Sequence, residues 1–138
     1  MTTTRPDFAQ EWTTLQNNHE RYESGALLLK LAGVAVFGLG VAATHAGLLV
    51  ALLVALIWGV EAIHRAFQSR LGERILRIES LLRSETPEGT AFQLHSEWLA
   101  ARPGTAGLLL EYGKSALRPT VAFPYALMLA ALALHRLM

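Results

Sequence analysis

Apolar residues fill the chain from 26 to 43 with only Lys30 intervening, and again from 48 to 60 without interruption. Between them lies Thr44-His45-Ala46-Gly47, a connection too short to span anything. A membrane-crossing helix needs roughly 20 mainly apolar residues to cover a hydrocarbon core of about 30 Å, which sets the two arms at 25–44 and 46–65 and makes them antiparallel. The pattern predicts a transmembrane helical hairpin over residues 25–65. Residues 119–135 are apolar except for Thr120 and Tyr125 and meet the lower limit for a third span; Pro124 falls early in the segment, where its missing N–H costs least.

The helical period continues past the second arm. Ile63, Phe67, Leu71, Ile75, Ile78 and Leu82 recur at spacings of three and four. Charged residues lie between them, with Glu61/Arg65, Glu73/Arg77 and Glu79/Arg83 in the favourable Glu-to-Arg order, each pair contributing about 0.3 kcal/mol when exposed. One helix over 46–83 would be about 57 Å long, so only its first half fits a bilayer. The apolar face that leaves the membrane must be covered, either by another protein or by the chain's own N-terminal segment. There Phe8, Trp12, Leu15 and Tyr22, with His19 between the last two, mark one face of a helix that either lies on the headgroups or runs on through Ser24-Gly25 into the first arm.

Residues 84–89 have the composition of a turn, and Thr90 is placed to cap a short helix carrying Phe92, Leu94, Trp98 and Leu99; residues 107–116 fit no single pattern. The expected architecture is an all-α integral membrane protein. It comprises an N-terminal amphipathic helix (1–24), the transmembrane hairpin (25–65), a cytosolic helical extension of its second arm (66–83), a cytosolic loop with a short helix (84–118) and a third, C-terminal membrane helix (119–138).

Small residues recur at every seventh position in the first arm, Ala26, Gly33 and Gly40, and at near-fourth positions in the second, Ala51, Ala55, Gly59, Ala62 and Ala66. Such stripes let helix backbones approach closely. If the arms pair about a tip near His45, residues whose numbers total about 90 share a depth. The stripes then close the hairpin, and Lys30 comes level with Glu61 to form a structural ion pair. Gly38, Ala126, Ala130 and Ala133 remain for a third helix or another protein. Trp58, Trp98, Tyr112 and Tyr125 read as interfacial aromatics.

Lysine and arginine placement gives the orientation. Arg65, Arg70, Arg74, Arg77 and Arg83 follow the second arm, Lys114 and Arg118 precede the third segment, and the tip has none. The positive-inside rule then puts the N-terminus and central segment in the cytoplasm, as expected of a bacterial inner-membrane protein. The acidic N-terminus, with Asp7, Glu11, Glu20 and Glu23, lacks the basic region and cleavage site of a signal peptide.

Little in the chain points to chemistry. The 138 residues carry 12 Lys and Arg against 11 Asp and Glu, a net charge of +1 that argues against nucleic-acid binding. The absence of cysteine excludes disulfides, thiolate catalysis and thiolate metal sites. Glu61-Ala62-Ile63-His64 has the Glu-x-x-His spacing of di-metal helical bundles, but those need a second copy and the chain has none. In Gly113-Lys114-Ser115 the preceding glycine is one residue out of register for a phosphate-binding loop. His19, His45, His64, His95 and His135 lie in different segments, and the single aspartate, Asp7, leaves a Ser-His-Asp arrangement unsupported. No catalytic residue, metal or cofactor is expected. The expected partners are the lipid bilayer and another membrane protein or a second copy, with the chain acting as an accessory or assembly subunit, or as a homo-oligomer. A holin-like pore and a lipid-, quinone- or pigment-binding subunit using the four aromatics are the alternatives.

Overall fold

The computed structural model describes residues 5–43, 47–84 and 89–137. The hairpin tip at 44–46 and most of the 84–89 turn lie outside the described residues. Five helices follow in order: α1 (Arg5–Ala42), α2 (Gly47–Arg83), α3 (Leu94–Ala101), α4 (Thr105–Ala116) and α5 (Pro119–Leu137). The described residues contain no strand. Helices α1 and α2 are each long and apolar enough to cross a membrane, and α4 with α5 forms a pair of comparable apolar length bent by 73°.

α1 is continuous through Ser24-Gly25. It packs antiparallel to α2 along its whole length, shown by contacts of Gly40 with Val50, Lys30 with Glu61, Glu23 with Arg65 and Glu11 with Arg74. The seam on α2 alternates spacings of four and three through Val50, Val54, Ile57, Glu61, His64, Gln68, Leu71, Ile75, Ile78 and Leu82, every one buried or half-buried. That is the seam of an antiparallel coiled coil, with three polar residues at its centre. Its α1 counterpart runs through Phe8, Glu11, Leu15, Asn18 and Tyr22, shifts by one residue, and resumes at Ala26, Leu29, Gly33, Val36 and Gly40.

This seam corrects several expected contacts. Gly59 and Ile63 each lie two residues from Glu61, about 200° around the helix, so with Glu61 facing α1 both turn outward. Ile63 is 39% exposed, and a Cβ at Gly59 would meet no atom of another helix within 4 Å. Ala55 is likewise exposed and Phe67 is 41% exposed, whereas Ala62 and Ala66 are buried and Ala51 half-buried. The sequence stripe followed apolar residue types, but the packed face follows Glu61, His64 and Gln68 instead. On α1 the small residues do meet neighbours. Ala26 is fully buried; a Cβ at Gly40 would run into the Val50 side chain, and one at Gly33 would sit 2.9 Å from Tyr125 Cε1.

Two cores result. Phe8, Leu15, Leu71, Ile75, Ile78 and Ala91 form one at the polar end, with Trp12, Tyr22, Leu82 and Leu94 packed against it. The apolar face of α2 from Leu71 to Leu82 is thus covered by the chain's own N-terminal helix. Val50, Val54, Tyr125, Met128 and Leu132 form the other, where α5 lies along the first turns of α2.

Helix α3 begins at Leu94, later than a Thr90 cap implies, and Gln93 at its N-cap makes no side-chain cap bond. The preceding residues are held elsewhere. Arg74 Nη2 donates to the Thr90 carbonyl at 3.0 Å, and the Phe92 N–H donates to Glu11 Oε2 at 2.6 Å. Phe92 is left at φ 60°, a left-handed conformation uncommon for a bulky side chain.

Candidate functional site

Two polar clusters cross the α1–α2 seam, each built from residues that the helical period turns inward.

The first centres on Glu61, which is fully buried. Lys30 of α1 ion-pairs with its Oε1, and the Tyr125 hydroxyl of α5 donates to its Oε2 at 2.7 Å. Arg65 Nε stands 3.8 Å from Oε1. Glu61 therefore joins three helices. A carboxylate this buried is stable only with such partners, because an isolated charge in apolar surroundings costs many kcal/mol. One turn further along, Arg65, Gln68 and Glu23 close a triangle: Arg65 Nη1 donates to Glu23 at 2.9 Å and to Gln68 Oε1 at 2.6 Å, while Gln68 Nε2 donates to Glu23 at 2.6 Å. The Arg65 hydrogen bond, followed by that from Gln68, holds the Glu23 carboxyl below its ordinary value. A cleft of about 390 Å³ opens beside this cluster, lined by Glu23, Ser24, Leu27, Lys30, Arg65 and Thr120.

The second cluster centres on Arg74, whose side chain is only 3% exposed. It makes a bidentate pair with Glu11 at 2.9 and 3.1 Å and a further bond to Glu97 of α3 at 2.9 Å. Burial alone would lower its pKa, but the hydrogen bonds and charge of Glu11, then of Glu97, outweigh it and raise it. Arg77 also reaches Glu97, at 3.0 Å, in place of the Glu73 partner its i, i+4 spacing suggested. The arrangement clamps α1, α2 and α3 together.

The aromatics divide. Trp58 and Tyr125 stack with centroids 6.2 Å apart, and Trp58 Nε1 donates to the Ala116 carbonyl at 3.1 Å. Trp98 lies well away, against Arg70 at 4.6 Å and Arg102 at 5.2 Å, where a groove of about 210 Å³ is shared with Tyr22, Phe67, Leu94 and His95. Tyr112 is half-buried on α4. The Glu-x-x-His residues likewise part company, since His64 turns to Tyr22, its Nε2 2.9 Å from that carbonyl and the rings 4.6 Å apart. Among the described residues no group of three His, Asp or Glu is placed to hold a metal ion.

Sequence reasoning missed Tyr125 as a Glu61 partner and missed the Glu11–Arg74 clamp. A signal for the second was present, because Glu11 falls between Phe8 and Leu15, and Arg74 between Leu71 and Ile78, each on an otherwise apolar face. Nothing in the sequence paired Tyr125 with Glu61. No protein-family model matches the chain, and neither does any curated protein or solved structure compared with it.

Proposed function

We propose that this chain is a three-span helical protein of the bacterial inner membrane, with its N-terminus and central segment cytoplasmic, that works through contacts between membrane helices, as a homo-oligomer or as an accessory subunit of a larger membrane complex. Its α1–α2 hairpin supplies two spans. α5 supports a third, because its Tyr125 lies level with Glu61 and its Leu132 packs with Val50 near the start of α2; its 19 residues cover about 28 Å.

The observation behind the contact reading is the outward face of α2. Ala55 and Gly59, spaced one turn apart, are exposed while α1 and α5 occupy other sides of the same helix, and Leu52 and Leu56 flank them at 59% and 63% exposure. A small-residue stripe bordered by leucines suits close approach of another membrane helix. The pore reading is supported less well, since Lys30, Glu61 and Tyr125 are turned to one another. The aromatic-ligand reading loses Trp58 and Tyr125, which are stacked together and hydrogen-bonded within the fold.

Native mass spectrometry of protein isolated from its own host in mild detergent tests this, with Gly59→Ile beside the wild type. The wild type should carry the mass of an assembly. The variant should lose the neighbour yet keep its thermal midpoint, since a Cβ at position 59 points into open space. A wild-type monomer would overturn the proposal.

A further inference from the structure

Helix α4 presents an uncovered apolar stripe. Ala106, Leu109, Leu110, Gly113 and Leu117 fall on one side of it, with Leu109, Leu110 and Leu117 at 65%, 60% and 74% exposure. The opposite side is engaged with α2: Glu111 pairs with Arg70 at 3.1 Å, the Ala116 carbonyl accepts from Trp58, and Ser115 is buried. Lys114 and Arg118 border the stripe and are exposed.

From this we infer that α4 sits at the cytoplasmic interface of the bilayer, its leucines among the outer acyl chains and its cations at acidic phospholipid headgroups. The inference rests on the membrane reading above, and three observations carry it. The first is depth. Trp58 and Arg70, the two α2 residues that hold α4, lie about 17 and 35 Å along the helix from Gly47, so the edge of a core about 30 Å thick falls between them. The second is angle. α4 is bent 73° from α5, so it turns out of the line of that span and does not extend it. The third is continuity with charge complementarity. The stripe runs from Leu117 towards the exposed Phe123 on the lipid side of α5, and Lys114 and Arg118 match an anionic leaflet, where each cation contributes severalfold to affinity. Glu111 holds Arg70, and Arg70 stacks on Phe67 at 4.7 Å and Trp98 at 4.6 Å, so the lipid-seated helix also fixes the position of α3.

Because the chain has no cysteine, single-cysteine spin-label variants of the full protein need no prior substitution. Labels at Leu109, Leu110 and Leu117 are read in vesicles of phosphatidylcholine, with and without phosphatidylglycerol, alongside Leu127 on α5 and Leu76 on the polar half of α2, all exposed sites. Molecular oxygen should relax the labels at 109, 110 and 117 more than a water-soluble nickel chelate does; 127 should show a stronger oxygen preference and 76 the reverse. Lys114→Glu with Arg118→Glu should reduce the oxygen preference at 109 severalfold in phosphatidylglycerol vesicles. Chelate access at 109 and 110 equal to that at 76, with 127 still protected, would overturn the inference. So would dipolar broadening at 109 and 110, which would assign the stripe to a second copy. Chelate access at 127 would instead remove the membrane reading itself, and this inference with it.

Discussion

Replacing Arg74 by alanine should loosen the polar half of the molecule while leaving the apolar half intact. The substitution removes both guanidinium bonds to Glu11, the bond to Glu97 and the bond to the Thr90 carbonyl. Glu11, only 3% exposed, would keep a single donor, the Phe92 N–H. Removing one partner of a buried ion pair costs about 3–5 kcal/mol, because the remaining charge is left desolvated, whereas replacing both partners by apolar side chains is often near neutral. Hydrogen exchange followed by mass spectrometry reads this locally. Amides of the first turns of α1 and of residues 89–101 should exchange faster by roughly two to four powers of ten in Arg74→Ala, up to the limit set by global opening. Amides of α5 should be unchanged. The double variant Glu11→Met/Arg74→Met should recover most of the protection. If Arg74→Ala accelerates exchange by less than about threefold, or if the double variant is as loose as the single one, the clamp is not a desolvated ion pair and the reasoning fails.

Gly40→Ala and Gly59→Ala should differ sharply in detergent melting. The first forces a methyl against Val50 and should cost about 1–3 kcal/mol, while the second meets nothing and should stay within about 0.5 kcal/mol. Tyr125→Phe removes one charge-assisted bond to Glu61, worth about 1.5–3 kcal/mol, and should speed exchange in α5 before α1. Exchanging the charges with Lys30→Glu/Glu61→Lys should not restore stability, because a lysine at 61 would face Arg65 as well as the Tyr125 hydroxyl; full rescue in thermal melts would contradict that arrangement. Glu23 should titrate below its ordinary value of 4.5. Its depressed pKa means that its contribution to stability is present above that value and is lost as the pH falls through the lower one. Arg65→Gln should move the Glu23 carboxyl resonance back up in an NMR titration; an unmoved midpoint would rule out Arg65 as the main cause.

The long helix of α2 was legible because its apolar residues keep one period across the point where charges begin. The Lys30–Glu61 level followed from counting out from the tip, a geometric argument that needs no side-chain detail. The facing residues were harder to read, since periodicity in residue type cannot see a polar residue turned inward. Following Ile63 and Phe67 rather than Glu61 and Gln68 put the seam on the wrong side at its centre, and Gly59 went with it. The start of α3 was misread for a similar reason. Thr90 is a good cap by type, but the distant Arg74 and Glu11 take the backbone of residues 90–92. Helix α4 escaped because three consecutive leucines with glycines on both sides carry no decisive period, and its definition comes from Trp58 and Arg70.

The polar centre of the α1–α2 seam also settles which of several near-equivalent alignments the two arms adopt. Leucine, valine and alanine repeat so evenly in both arms that a slide by seven residues would still bring small side chains against apolar ones. Such a slide would, however, set Lys30 opposite Val54 or Gln68 and leave Glu61 with only Arg65 of its own helix as a nearby cation. A misaligned hairpin would thus leave Lys30 without the carboxylate it pairs with in the native one. The pair favours one alignment of two arms that hydrophobicity alone would leave free to slip.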